Sequence, residues 1–129
     1  MKRIGIHVMI LLCFLSLAGC LDKTTTHVSI SKNPSAEEVL QEDNVDILQW
    51  DGVVYQTKID WVDQLELTKD QVIGMITKVY EEDSIHLFEN RMANKLPKGT
   101  KIYSTRERID ILMVEHKGKI KRYFALTEG

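Results

Sequence analysis

Cysteine is scarce in this 129-residue chain: there are two, Cys13 and Cys20, both within the first twenty residues. Beyond them no thiol enzyme, zinc–cysteine site, redox pair or disulfide can be built. The seven glycines are scattered, mostly at turns, and none belongs to a phosphate-cradling loop. No serine stands in a G-x-S-x-G setting, and there is no internal repeat or cofactor motif. Long apolar runs are also missing. The longest, Ile4 to Ala18, falls short of the roughly 20 residues a membrane-crossing helix needs, and His7 and Ser16 interrupt it.

What that run does have is a basic start, Met1-Lys2-Arg3, and an abrupt end in small residues. A positive n-region followed by an apolar h-region is the layout of a secretory signal. Where an ordinary signal carries an A-x-A-like site, this chain reads Leu17-Ala18-Gly19-Cys20. The four residues resemble the lipobox of bacterial lipoproteins throughout. The chemistry suits the spacing, because Ala18 and Gly19 let the backbone enter a narrow protease cleft and Leu17 fills an apolar subsite. Cys20 supplies the one nucleophile that can accept a diacylglyceryl group as a thioether.

The resemblance implies cleavage after Gly19 by lipoprotein-processing enzymes, palmitate-type acylation, and display on the outer face of the cell membrane. Cys13 is discarded with the leader and Cys20 is blocked. Each buried methylene contributes about 0.8 kcal/mol, so two acyl chains give stable anchoring where one is marginal.

Without residues 1–19 the chain carries a net charge of −4, unevenly spread. Residues 20–83 hold 14 acids and 5 bases, whereas residues 84–129 hold 5 acids and 10 bases. In a folded domain the two halves are expected to neutralise each other. The alternative is a surface aimed at an anionic partner.

Three segments follow: a leader at 1–19, a polar tether with a short helix at 20–44, and a β-rich domain at 45–129. The tether, rich in Thr, Ser and Lys, lacks an apolar period; Asn33-Pro34 offers a helix start before a weak stripe of Ala36, Val39 and Leu40. Val45–Trp50, Asp51-Gly52 and Val53–Gln56 form a hairpin signature, since Asp-Gly suits a type I′ turn. Ile59, Val62 and Leu65 recur at three and predict a helical turn over 59–66. Residues 71–80 are apolar on both faces and predict a central strand, with Gly74 marking a bulge or a close approach.

Residues 85–89 predict another strand, and 90–100 show no period. The last hairpin joins 109–115 to 119–126 through His116-Lys117-Gly118. In its second arm Ile120, Arg122, Phe124 and Leu126 share one face, and Lys121 and Tyr123 the other. The expected class is α+β, mainly β: one antiparallel sheet or partly closed barrel of about six strands, with one or two short helices.

The stretches ILQWDGVVYQ, DWV, LPKGTKIY and DILMVEHKGKIKRYFALTEG resemble small lipoproteins of Gram-positive bacteria that have no assigned activity. That resemblance supports the domain boundary near residue 45 and implies no catalytic residue.

Few residues offer chemistry. His86 and Glu89 share a face only on a helix, and Glu115 and His116 point oppositely on a strand, so no metal ligand set emerges. Glu81-Glu82-Asp83 lacks an EF-hand's spacing and suits a solvated turn. Trp50, Tyr55 and Trp61 lie around the first hairpin, as core or as a stacking platform. Lys119, Lys121 and Arg122 head the basic side. They suit an envelope protein, anionic wall polymer or lipid headgroups, and outside the cell nucleic acid is not an expected partner.

The expectation is thus a non-catalytic binding or interaction module held to membrane lipid through Cys20. One alternative is a small envelope hydrolase using His86 or His116. Another is an inhibitory or immunity-type lipoprotein acting through its basic hairpin.

Overall fold

The computed structural model describes residues 32–82 and 87–128. The leader, the Leu17-Ala18-Gly19-Cys20 motif, the tether through residue 31, and His86 lie outside the described residues. The first element, helix α1 (Ala36–Val39), is a single turn. Ser35 caps it by accepting from the Glu38 N–H at 3.2 Å, while the Glu38 carboxylate accepts from the Ser35 N–H at 2.8 Å. This reciprocal box satisfies two donors that the helix start leaves over. The cap falls on Ser35 and not on Asn33, because only Ser35 has a glutamate three residues on. The Asn33 side chain instead accepts from the Glu128 N–H at 3.2 Å, tying the two ends of the domain together.

Eight strands follow among the described residues: β1 (Ile47–Trp50), β2 (Val53–Gln56), β3 (Lys69–Met75), β4 (Lys78–Val79), β5 (Met92–Ala93), β6 (Lys101–Thr105), β7 (Ile111–His116) and β8 (Lys119–Ala125). Helix α2 (Asp60–Asp63) lies between β2 and β3. All belong to one sheet in the order β3-β6-β7-β8-β2-β1-β5-β4. The pairs are antiparallel except β4 with β5, which is parallel, so the sheet is mixed. The class is α+β, mainly β, with eight strands in place of about six. The additional pieces are short: β4 and β5 are two residues each.

The strand order makes the sheet curl. Laid flat, its outermost strands would be about 34 Å apart at the usual spacing between neighbours. Yet β3 and β4 are separated in the chain by Ile76 and Thr77 alone, a link that reaches about 11 Å at most. The sheet therefore wraps into a half-barrel whose two ends are successive parts of one segment. At the junction the partners switch sides. The Ile76 N–H donates to the Thr100 carbonyl at 2.8 Å, and the next N–H, of Thr77, donates to the Arg91 carbonyl at 2.8 Å. Residues 71–80 are thus an edge that closes the curl, not a central strand. Their outward apolar side chains, Val72 and Met75, stay about half exposed.

Curling gives the sheet an inside and an outside, each with its own core. Leu48, Tyr55, Leu112, Val114 and Tyr123 fill the inside together with Ile76 and Ile102, and Trp50, Val53 and Ile73 pack against them. Outside, α1 lays Ala36 and Val39 over Ile47, Val54, Phe88 and Met92. Helix α2 covers β8, with Trp61 edge-on to Phe124 at 4.9 Å between ring centroids.

Both hairpins turn through two residues at positive φ, Asp51-Gly52 (49° and 76°) and Lys117-Gly118 (51° and 73°). That pair of angles matches the right-handed twist of the flanking strands. His116 pairs with Lys119 and so belongs to β7, not to the turn.

Two expected elements differ from what forms. Helix α2 ends at Asp63 because Arg122 takes the carbonyls of Val62, Asp63 and Leu65. Residues 87–89 are irregular, and the Phe88 N–H donates to the Glu37 carboxylate at 3.0 Å in place of a strand partner.

Gly74 allows the closure. A Cβ there would lie 2.5 Å from the far edge of the Trp50 indole, and the β3–β6 register shifts beside it. Overpacking of this kind costs about 1–3 kcal/mol. Gly74→Ala should therefore lower stability in urea unfolding by that amount. The penalty should shrink in a Trp50→Ala background, a coupling that a double-mutant cycle reads directly.

Candidate functional site

Two concave places stand out among the described residues. The larger, about 530 Å³, is a groove on the outside of the curl. One wall is the α2–β3 connection, with Asp63, Leu67 and Lys69; the floor is β7–β8, with Met113, Ile120 and Arg122. Thr57, Lys58 and Lys121 complete the lining. Alternation along the last hairpin places Arg122 here, since Ile120, Arg122 and Phe124 share the outward face opposite Glu115, Met113 and Ile111.

Arg122 is held firmly. Its Nη1 donates to the carbonyls of Val62 (2.8 Å), Asp63 (3.2 Å) and Leu65. A cation at a helix C-terminus meets the negative end of the backbone dipoles, so the charge both caps α2 and stays at the groove. Lys69 pairs with Glu115 across the wall and lies over the Tyr103 ring, 4.4 Å from its centroid. The Glu115 hydrogen bond raises the Lys69 ammonium above its ordinary pKa.

Lys121 points to the other face. Its Nζ donates to Asp46 Oδ2 at 2.8 Å, and the Tyr123 hydroxyl donates to Asp46 Oδ1 at 2.7 Å. Asp46 is 2% exposed, so this carboxylate sits inside the curl with each oxygen satisfied. A buried ion costs several kcal/mol unless it is paired and hydrogen-bonded, and both conditions are met. The phase of Asp46 places it there: it is two residues before Leu48 and four before Trp50, on the inward side of β1.

The second concavity, about 280 Å³, opens at the mouth of the curl. Trp50, Val53, Tyr55, Ile73 and Leu112 line its apolar part, and Asp51, Ser104 and Arg108 its rim. Arg108 grips Asp110 with two nitrogens, at 2.8 and 2.7 Å, and lies 5.4 Å from the Trp61 ring centroid. The Arg108 hydrogen bond holds the Asp110 carboxyl below the usual carboxylate range against a smaller opposing effect of burial.

The six residues singled out from the sequence are thereby distributed, not gathered. Trp50 and Tyr55 meet at the mouth. Trp61 lies on the outer face against Phe124. Arg122 and Lys121 border the groove from opposite faces of β8, and Lys119 pairs with His116 at the hairpin end. His116 borders neither concavity. Among the described residues no group of three or more His, Cys, Asp or Glu side chains converges as a metal site. Lys58, Leu67 and Lys69 were not foreseen as site residues. They come from connections and an edge strand, where side-chain spacing carries no face.

No protein family, curated protein or solved structure matches this chain.

Two phenols report on the interior. Burial raises the Tyr55 pKa first, and the Asp110 and Asp51 charges add to it. Burial also raises Tyr123 strongly, helped by the charge of Asp46 and the hydrogen bond to it. A group whose folded pKa is raised adds stability below its unfolded pKa and loses it as pH rises further. Stability should therefore fall above about pH 10, where the unfolded phenols ionise. A spectrophotometric titration should show Tyr55 ionising above the ordinary tyrosine range and Tyr123 only as the domain unfolds, and Tyr123→Phe should flatten the alkaline loss.

Proposed function

We propose that this chain is an exported lipoprotein, acylated on Cys20 and held on the outer face of the cell membrane, where residues 45–129 act as a non-catalytic binding module. The anchor is carried by one observation: Leu17-Ala18-Gly19-Cys20 ends a basic and then apolar leader of secretory layout.

Binding is favoured for the domain because three of its carboxylates near the concavities are committed to structure. Asp46 is taken by Lys121 and Tyr123, Asp110 by Arg108, and Glu115 by Lys69. A general base or nucleophile needs a side chain poised toward an open cavity. The groove lining is mainly apolar side chains and cations, with Asp63 its one acid, a surface suited to holding a ligand. Membrane lipid is then a partner through the thioether on Cys20, and an envelope protein or wall polymer is a partner through the domain.

Radiolabelled palmitate fed to cells making the chain should enter the wild type and leave Cys20→Ser unlabelled. The variant should also keep its leader, and so run larger on a gel. Equal labelling of the two would remove the anchor.

A further inference from the structure

We infer that the outer groove takes a small organic anion, a phosphate ester or carboxylate bearing a short apolar group. This rests on the binding-module reading and names the ligand class for the same groove.

Charge is the first argument. Among the described residues, neither Lys58 nor Arg122 makes an ion pair, and both border the groove. Lys69 and Lys121 stand beside them, already balanced by Glu115 and Asp46. Asp63 is the one acid in the lining. The local field therefore favours an anion, and two cations remain to meet it. Arg122 is also pre-placed, since three carbonyls fix one of its nitrogens, so less side-chain freedom is lost when the rest of the guanidinium engages a ligand.

The floor supplies the second argument. Leu67 and Ile120 give the lining its exposed apolar surface, with Ile120 53% exposed, while Met113 is buried at 2%. A bare inorganic ion would leave that apolar surface wet. A ligand with a short hydrocarbon or aromatic group would cover it, adding about 25 cal/mol per Å² removed from water.

Size agrees. A concavity of about 530 Å³ is on the scale of a small-molecule site.

The test is a methyl NMR titration of the full chain in phosphatidylcholine nanodiscs, with butyl phosphate, inorganic phosphate, butylammonium and butanol as probes. Butyl phosphate should shift the methyls of Leu67, Met113 and Ile120 saturably. Inorganic phosphate and butanol should bind at least about tenfold more weakly, a difference of about 1.4 kcal/mol. Butylammonium should leave the three methyls unmoved.

Lys58→Glu should weaken butyl phosphate about tenfold or more, whereas Lys98→Glu, on the exposed turn before β6, should not. Ile120→Ser should bring butyl phosphate down toward inorganic phosphate, which separates the floor from the rim without disturbing the core. Equal shifts with butylammonium would make the groove non-selective for charge and overturn the inference while leaving a binding module standing. Shifts that appear only when phosphatidylglycerol is added to the disc would assign the groove to the bilayer surface and overturn it as well. Silence with every probe would remove the groove as a site, whatever palmitate labelling shows.

Discussion

Ile76 and Thr77 are all that separate the two outermost strands of an eight-stranded sheet, and the curl follows from that short link. Because the sheet must wrap, it has an inside that can be filled by Tyr123, Leu48 and Ile102 and an outside that two single-turn helices can cover. Both concavities are consequences. The mouth lies where Trp50 spans from β1 to the backbone of Gly74 on β3, and the groove lies where the chain leaves α2 to begin that same closing segment. A domain this small buries a modest fraction of its surface, so closing the sheet on itself is an economical way to enclose a core.

The inside is not purely apolar. Asp46 enters it on β1's inward phase, and β8 answers with Lys121 and Tyr123 from the same inward phase. Burying such a group unpaired would cost several kcal/mol, so the arrangement also fixes which residues of β8 face inward. Sliding β8 by one residue would replace Lys121 and Tyr123 with Arg122 and Phe124, so Asp46 would lose the Tyr123 hydroxyl and α2 would lose the arginine that caps it. The same alternation delivers Arg122 to the outside, where it caps α2 and borders the groove. One register therefore sets both the polar lock within and the cation without.

Much of this was legible where local chemistry decides the outcome. Asp51-Gly52 and Lys117-Gly118 announce their turns because positive φ restricts the residues that fit, and the two faces of 119–126 follow from period-two alternation. Gly74 could be suspected of a close approach, though not of Trp50 as its neighbour.

Pairing partners were harder to see. Residues 71–80 look central because both faces are apolar, yet they form an edge whose halves bond to β6 and β5 in turn. No local pattern encodes a change of partner at Ile76. Met92-Ala93 is too short to show a period, and a buried acid such as Asp46 runs against the usual exposure of carboxylates. Of the candidate site, Lys121 and Arg122 were found as basic residues, but their division between two faces was not used. Lys58, Leu67 and Lys69 are brought to the groove by tertiary structure alone.

The placement of both concavities depends on the curl, and the contact that seals it is the Trp50 indole over Gly74. The most direct measurement is the proton NMR spectrum of the α-hydrogens of Gly74 with cross-relaxation to the indole. The account expects strong cross-peaks from the Gly74 α-proton that points at the far edge of the Trp50 ring, and a downfield ring-current shift of that proton because it meets the edge close to the ring plane. Gly74 resonances at ordinary strand positions, with no cross-peak to Trp50, would mean an open sheet and would contradict the account.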